Sequence, residues 1–516
     1  MNDNKISKNS IVAKFAVPIS FLILFFLAAN FTDCDLVTFW KRRSHLTDLV
    51  VDMIPPDFSY IQKILLPLFY TIQMSVTGTV LGIFFALVLS PFGAANLGFP
   101  AVIRRILRIV IQILRSFPAL ILALTATFLF GLGTFAGTFA ITLYTFAIMT
   151  KLTYEDASAA DVKAYQALRA MGVSKYVAYI HGILPEIIPG FLTNALYLLE
   201  TNVRHSSILG YVGAGGIGLL LNEKISWLEY DKVGTILLML FLTVCVIEYF
   251  SRYLAALIRK ERTIKKEQAR LLLLFLAALF LICTFTLSLP DFSRTSPQTL
   301  RNMFAGFLQP DWSFFFSAEK DGLGYPLLET VCIAFIGTVI GAIVSAPLAF
   351  LNTKRFVPAP VSFLFNLVIM VIRSVPFLVY GLIFIRVSGP GAFTGVLTLA
   401  VCSIGLLTKR FTEALDALDP RPYHALLAMG VRPLPAICHS VLPQLKPVFT
   451  SIILYRFDVN IREASVLGLV GAGGIGAPLI FSMNQYAWEK AGAIMLGLIL
   501  LVWFIDMVSE KIGAGN

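Results

Sequence analysis

The chain is poor in charge. Asp, Glu, Lys and Arg make up only 14% of its 516 residues, against roughly 25% in soluble domains. Hydrophobic residues make up 57%, and the mean hydropathy is +0.81. That balance excludes an ordinary water-soluble domain and leaves a polytopic membrane protein. The six cysteines are scattered, at 34, 245, 283, 332, 402 and 438, and no Cys-x-x-Cys pair occurs. Neither a disulfide framework nor a metal site is supported. No Gly-x-x-x-x-Gly-Lys-Ser/Thr string and no His-Glu-x-x-His string is found. The chain therefore carries no nucleotide-binding P-loop and no zinc-hydrolase motif of its own.

The formal net charge of +11 could suggest a nucleic acid partner. The cations sit instead at the ends of apolar stretches, as at Arg104-Arg105 and Arg259-Lys260-x-Arg262, and form no extended stripe. Excess Lys and Arg mark cytoplasmic loops, and no nucleic acid is expected.

What the chain does have, it has twice. Tyr165-x-Ala167-Leu168-x-Ala170-Met171-Gly172 returns as Tyr423-x-Ala425-Leu426-x-Ala428-Met429-Gly430, an offset of 258 residues (430 − 172). The same offset relates Arg115-Ser116-x-Pro118 to Arg373-Ser374-x-Pro376, Leu184-Pro185 to Leu442-Pro443, and Asn202-x-Arg204 to Asn460-x-Arg462. Val212-Gly-Ala-Gly-Gly-Ile-Gly218 recurs as Val470-Gly-Ala-Gly-Gly-Ile-Gly476. A register held that long means two copies of one structural unit. In a membrane chain, such repeats commonly frame a transport pathway.

Apolar stretches long enough to cross a bilayer fall near 12–30, 63–90, 106–131, 134–150, 187–210 and 233–256. A second set falls near 271–289, 327–350, 360–387, 391–408, 446–468 and 491–508. The expected fold is all-α, with about twelve transmembrane helices in two parallel six-helix repeats. The expected division is 1–256, a linker at 257–270, and 271–516. Lys5, Lys8 and Lys14 precede the first apolar run, but no clear small-x-small cleavage site follows. The run reads as an uncleaved span. Loop cations place both termini in the cytoplasm; Lys41-Arg42-Arg43 runs against that pattern in the first outer loop.

The longest segments outside the membrane within each repeat are 151–186 and 409–445. Tyr165, Leu168 and Met171 share one helical face by spacing, as do Tyr423, Leu426 and Met429. Gly172 and Gly430 then suit a left-handed helix end, and Pro185 and Pro443 close the loops. These loops resemble the EAA loop of importer-type ABC permeases, in which Glu-Ala-Ala, three residues, Gly and nine residues precede Ile-x-Leu-Pro. Gln166-Ala167-Leu168 and His424-Ala425-Leu426 stand at the Glu-Ala-Ala position, and Gly182 and Ser440 at the Ile. Asn460-Ile-Arg462-Glu-Ala-Ser-Val-Leu-Gly468 with the Gly-rich string after it is similar to the signature of phosphonate-type permeases. The first copy carries the looser Asn202-Val-Arg204-His-Ser-Ser207.

This resemblance implies two permease units fused in one chain, in a bacterial inner membrane. It implies a phosphonate or related oxyanion as cargo, such as phosphite or phosphate. It also implies two ABC ATPase subunits that carry ATP and Mg and couple through Tyr165, Ala167, Leu168, Gly172, Leu184 and Pro185. The second docking set is Tyr423, Ala425, Leu426, Gly430, Leu442 and Pro443. A solute-binding protein would deliver cargo from outside. The chain itself is expected to be no enzyme and to hold no cofactor. A 6+6 transporter driven by an ion gradient is the alternative, but acids inside the spans are few beyond Glu200 and Asp458.

Three features are candidate parts of the path. Gly213, Gly215, Gly216 and Gly218, with Gly471, Gly473, Gly474 and Gly476, match Gly-x-Gly-x-x-Gly. A membrane span and not a strand precedes each, which excludes a dinucleotide site. A tight packing turn and an anion-binding nest of backbone N–H groups both stay open. Arg115 and Arg373 lie in apolar stretches, where charge tends to face a cavity or a partner, although an Arg near a span end can also snorkel. Arg204 and Arg462 follow Glu200 and Asp458 by four residues, one face of a helix. That spacing allows a plain intrahelical ion pair, or a pair that aims the guanidinium at a passing oxyanion. Asn202 and Asn460 accompany them. His181 and His439 have no metal-ligand companions and read as solvated loop positions.

Overall fold

The computed structural model describes residues 19–259, 265–290, 297–317, 319 and 322–514. Lys5, Lys8, Lys14 and part of the 257–270 linker lie outside the described residues. Among the described residues the fold is helical without strands. Eight helices are long and apolar enough to cross a membrane, and three further bent pairs bring the number to eleven. Ile19–Phe31 is a shorter apolar helix. Each of the twelve apolar stretches overlaps one of these segments, with residues 12–18 of the first outside the described residues.

In the first copy, helix Ile61–Gly93 packs lengthwise on Thr134–Ala159, with Leu184–Leu209 across both. Glycine sets the spacing. A Cβ on Gly78 would lie 2.7 Å from Ile141, and one on Gly82 would lie 2.6 Å from Thr145. Gly337 and Gly341 do the same against Leu399 and Ser403. Small residues four apart let two membrane helices approach through their backbones, where lipid offers no hydrophobic drive. This helix is related to its copy by 259 residues (337 − 78). The one-residue difference is taken up at once: the loop 94–100 has one more residue than 353–358.

The next span is broken in both copies. Helix Ala101–Ser116 meets Ala119–Phe130 at 95°, and Ala359–Ser374 meets Phe377–Ser388 at 87°. Pro118 and Pro376 are the cause. Proline pushes the residue before it out of the helical region, and Phe117 is extended at φ −89, ψ 128. Arg115 and Arg373 thus stand in the last turn before a bend, not inside a continuous span.

Two compact units are present: one of Met1–Asp48, Ala305–Arg373 and Phe377–Asn516, the other of Leu49–Phe304 and Ser374–Pro376. Contact therefore groups the first apolar helix with the second copy. Phe21 packs on Phe335 at 5.4 Å and Phe31 on Tyr325 at 5.1 Å between ring centroids. Correspondingly, helix Lys266–Phe285 packs on the first copy. Gln73 Nε2 donates to the Cys283 carbonyl at 3.1 Å and to Thr286 Oγ1 at 2.8 Å.

Candidate translocation and coupling sites

A buried polar layer crosses each copy where three helices meet. Asn202 is fully buried, and its Nδ2 donates to Thr79 Oγ1 and Thr145 Oγ1, both at 2.8 Å. Asn460 Nδ2 donates to Thr338 Oγ1 at 2.6 Å and Ser403 Oγ at 2.9 Å. Each amide ties the long helix, the Thr134–Ala159 or Ala392–Ala417 helix, and its own helix together. The geometry of both asparagines is that of a packing tie. Their Oδ1 atoms are buried without a hydrogen-bond partner among the described residues.

The two arginines beside them are paired. Arg204 reaches Glu200 at 2.9 Å, with side chains only 13% and 7% exposed. Arg462 is bonded to Asp458, and Asp506 lies 3.9 Å away. Arg115 and Arg373 stand on other helices, in the last turn before each bend. The Arg373 stem packs on the Cα side of Gly405, where a Cβ would lie 3.0 Å from Cγ.

The Gly-rich strings form tight turns closed largely on their own chain. Gly213 N and Ala214 N donate to Gly210 O and Leu209 O; Gly471 N and Ala472 N repeat this with Gly468 O and Leu467 O. Thr71 Oγ1 accepts from Ile217 N at 2.8 Å, and Thr330 Oγ1 accepts from Ile475 N at 2.9 Å. In the second copy, Glu329 Oε2 also accepts from Gly474 N at 2.8 Å. Gly213, Gly215 and Gly216, like Gly471, Gly473 and Gly474, have φ between +77 and +86, the region that favours glycine. Gly218 and Gly476 serve close approach instead: a Cβ there would lie 2.2 Å from Ser207 O and 2.4 Å from Ser465 O.

Each long loop folds into a helical knob. Asp161 and Asp419 start the helices Lys163–Ala170 and Arg421–Ala428 by accepting from Lys163 N and Arg421 N, both at 3.0 Å. The Lys163 N–H and ammonium hold the Asp161 carboxyl below its usual range. Gly172 and Gly430 end the helices at φ +84 and +82. Tyr165 turns inward, 5% exposed, and its hydroxyl donates to Leu97 O at 2.6 Å. Leu97 lies in the longer 94–100 loop. The second copy is tied differently: Arg355 donates to the carbonyls of Leu415 and Leu418 at 2.9 and 3.0 Å, while Tyr423 packs on Phe356.

One expectation is corrected here. Met171 and Met429 are 71% and 78% exposed and do not continue the faces of Tyr165 with Leu168 and of Tyr423 with Leu426. Each is the helix-ending residue before the left-handed glycine, so the chain has already left the helical path that the spacing assumed. Gly182 also acquires a reason, since a Cβ there would meet Tyr165 N at 2.8 Å. At the equivalent Ser440, the helix widens into a π turn over Ile437–Val441.

A family profile described as "binding-protein-dependent transport system inner membrane component" matches residues 78–263 and again 337–512. The chain belongs to this family. It is a multi-pass membrane permease with two permease units in one polypeptide. The permease is 27% identical over 477 residues to the phosphate-import permease protein of Mycolicibacterium smegmatis, covering 90% of this chain and 88% of the relative. It is 36% identical over 185 residues to a phosphite transport system permease protein of Stutzerimonas stutzeri, covering 36% of this chain and 67% of the relative. Among solved structures, an inward-facing methionine ABC transporter is 22% identical, with a TM-score of 0.36, covering 39% of this chain and 99% of that one.

Sequence reasoning passed over Arg456 and Glu463 in the permease. Arg456 NH2 lies 2.8 Å from Glu463 Oε2, NH1 lies 3.4 Å from Oε1, and Nε donates to Ser403 Oγ at 3.1 Å. The residues are seven apart, beyond the four-residue spacing used to find acid–base pairs. The signal available in the sequence was divergence: positions 198 and 205, at the same offset, are Leu and His.

Proposed function

We propose that this permease forms the membrane path of an ABC importer for phosphonate or a related small oxyanion such as phosphite or phosphate. The observation that carries the reading is the full-length similarity to a phosphate-import permease, reinforced by a phosphite permease among the relatives. ATP hydrolysis belongs to two separate ATPase subunits that hold ATP and Mg, one docked on 151–186 and one on 409–445. A solute-binding protein delivers the anion from outside. Both termini are cytoplasmic, and the linker at 257–270 joins the units on that side.

The twin knobs support this division of labour. Each presents an exposed methionine, Met171 or Met429, on a helix opened by an aspartate, Asp161 or Asp419, and followed by cations. Residues 163–185 contain Lys163, Arg169 and Lys175, and residues 421–446 contain Arg421, Arg432 and Lys446; neither stretch contains Asp or Glu. An apolar cleft with an acidic rim on the ATPase fits such a knob. ATP binding draws the ATPases together, the knobs follow, and the path opens outward; hydrolysis returns it.

Within the membrane, the Glu200-paired Arg204 and the Asp458-paired Arg462 are the proposed oxyanion contacts, helped by Arg115 and Arg373. Guanidinium offers planar, bidentate donors to such oxygens. Arg204→Ala and Arg462→Ala should lower uptake of phosphite without lowering the amount of protein in the membrane. The whole reading is tested in vesicles. Purified permease, ATPases and binding protein together should accumulate phosphite only with ATP. Accumulation by the permease alone, with no ATPase present, would overturn it.

A further inference from the structure

Charge inside the second copy is distributed in a way that packing does not require. Helix Leu442–Leu467 carries Arg456 with its side chain 5% exposed and Glu463 with its side chain 18% exposed. Removing two ions from water costs several kcal/mol each before their attraction is counted, and charge within membrane spans is by default functional. The chain contains its own control. At the equivalent positions of the first copy stand Leu198 and His205, on a helix of the same length with the same neighbours. Cys402, the residue before the Arg456 partner Ser403, is Tyr144 in the first copy, and Tyr144 packs edge-on against His205 at 5.0 Å between ring centroids. Four neighbouring positions differ between the copies, Ser403 standing for Thr145 among them, and the tie from the asparagine to two hydroxyls is retained in both. The fold is therefore built without the ion pair in one half and with it in the other.

The geometry indicates what the pair can do. Ser403 Oγ accepts from both Arg456 Nε and Asn460 Nδ2. The guanidinium is thus pinned on its inner edge to the buried tie that joins three helices. Its outer edge faces the Glu463 carboxylate, with NH2 at 2.8 Å and NH1 at 3.4 Å from its two oxygens. A carboxylate on that edge is a planar pair of anionic oxygens, the same feature that one O–P–O edge of a phosphonate or phosphite presents. Glu463 is the more exposed partner, so the fixed member is the cation and the member free to swing away is the anion.

We propose that Arg456 is a cargo station found in the second copy alone, at which the oxyanion exchanges with Glu463 for the NH1–NH2 edge of the guanidinium. This rests on the oxyanion-importer reading and adds to it a location and an asymmetry. Cargo meets one such station per chain, not two, and Glu463 is its resident competitor. The pair keeps the buried cation neutralised whenever cargo is absent.

The test uses the complete transporter, with its ATPases and binding protein, and phosphite as the probe. The double variant Arg456→Leu with Glu463→His places the first-copy residues at both positions of the pair and should be produced at wild-type levels. Its ATP-driven uptake should fall about tenfold or more, as expected for loss of a bidentate charged contact. The second variant, Glu463→Gln, keeps the cation and removes the competitor. Phosphite should raise the melting temperature of the binding-protein-free permease–ATPase complex, should raise it further in Glu463→Gln, and should not raise it in the double variant. A purely structural ion pair would make both variants respond alike, because both break it. Wild-type uptake by the double variant would overturn the proposal. So would a smaller phosphite shift in Glu463→Gln than in wild type, which remains readable if the double variant fails to fold. Failure of the wild-type transporter to import phosphite, phosphate or phosphonate at all would instead strike the importer reading beneath it.

Discussion

Tyr165 gives its hydroxyl hydrogen to the carbonyl of Leu97 at 2.6 Å, and so fastens the first knob to the loop between two membrane helices. The bond is buried, and burial pushes the Tyr165 phenol up, keeping it a donor. The bond links the knob to the loop that follows helix Ile61–Gly93.

Tyr165→Phe keeps the ring and removes only the donor, leaving a buried carbonyl unpaired. The expected loss is about 1 kcal/mol of local stability. The functional result is ATP hydrolysis that continues while uptake falls, read as a higher ratio of ATP split to phosphite imported. Tyr423→Phe should have a smaller effect, because the Tyr423 ring packs on Phe356 and Arg355 ties the same loop to the end of helix Ala392–Ala417 through three carbonyls.

The two asparagine ties should respond alike despite lying in divergent surroundings. Asn202→Leu and Asn460→Leu each remove two buried hydrogen bonds. Interhelical bonds in membranes contribute about 0.6 kcal/mol each, with a ceiling near 1.7, so each variant should lose about 1–3 kcal/mol. Detergent-melting curves check this, and an unchanged melting temperature would refute the role of the amides as ties.

Glycines of the same chain should divide sharply. Gly218→Ala places a Cβ 2.2 Å from Ser207 O, a backbone atom that cannot swing aside. Crowding of this kind costs about 1–3 kcal/mol or more, and a loss of folded protein on size-exclusion chromatography is expected. Gly190→Ala meets nothing nearer than Asp156 Oδ2 at 3.9 Å. It lies in a helix, where alanine is favoured over glycine by about 1 kcal/mol, so its melting temperature should hold or rise.

Cutting the chain within 260–264 should not separate its halves. Helix Ile19–Phe31 packs on second-copy residues, and the segment ending at Thr286 is held by Gln73 of the first. Co-expressed fragments 1–262 and 263–516 should co-purify in detergent through an affinity tag on either one. Fragments that elute separately would contradict the exchanged packing. Gln73→Ala should weaken the association.

The sequence alone determined the membrane class, the duplication and the boundaries of most spans, because low charge and a fixed offset are properties of the chain and need no partners. It also foretold the left-handed Gly172 and Gly430 and the four-residue ion pairs at Arg204 and Arg462, since both are set within one helix turn. Only tertiary structure decided the rest. Met171 points outward because a helix end breaks periodicity. Asn202 and Asn460 are turned to hydroxyls more than fifty residues away, on other helices. The first apolar helix, itself largely exposed, lies against the other copy at Phe335 and Tyr325, and nothing in its own composition names that partner. Arg456 and Glu463 meet across two helical turns, a distance at which rotamers and neighbours, not spacing, choose the partner.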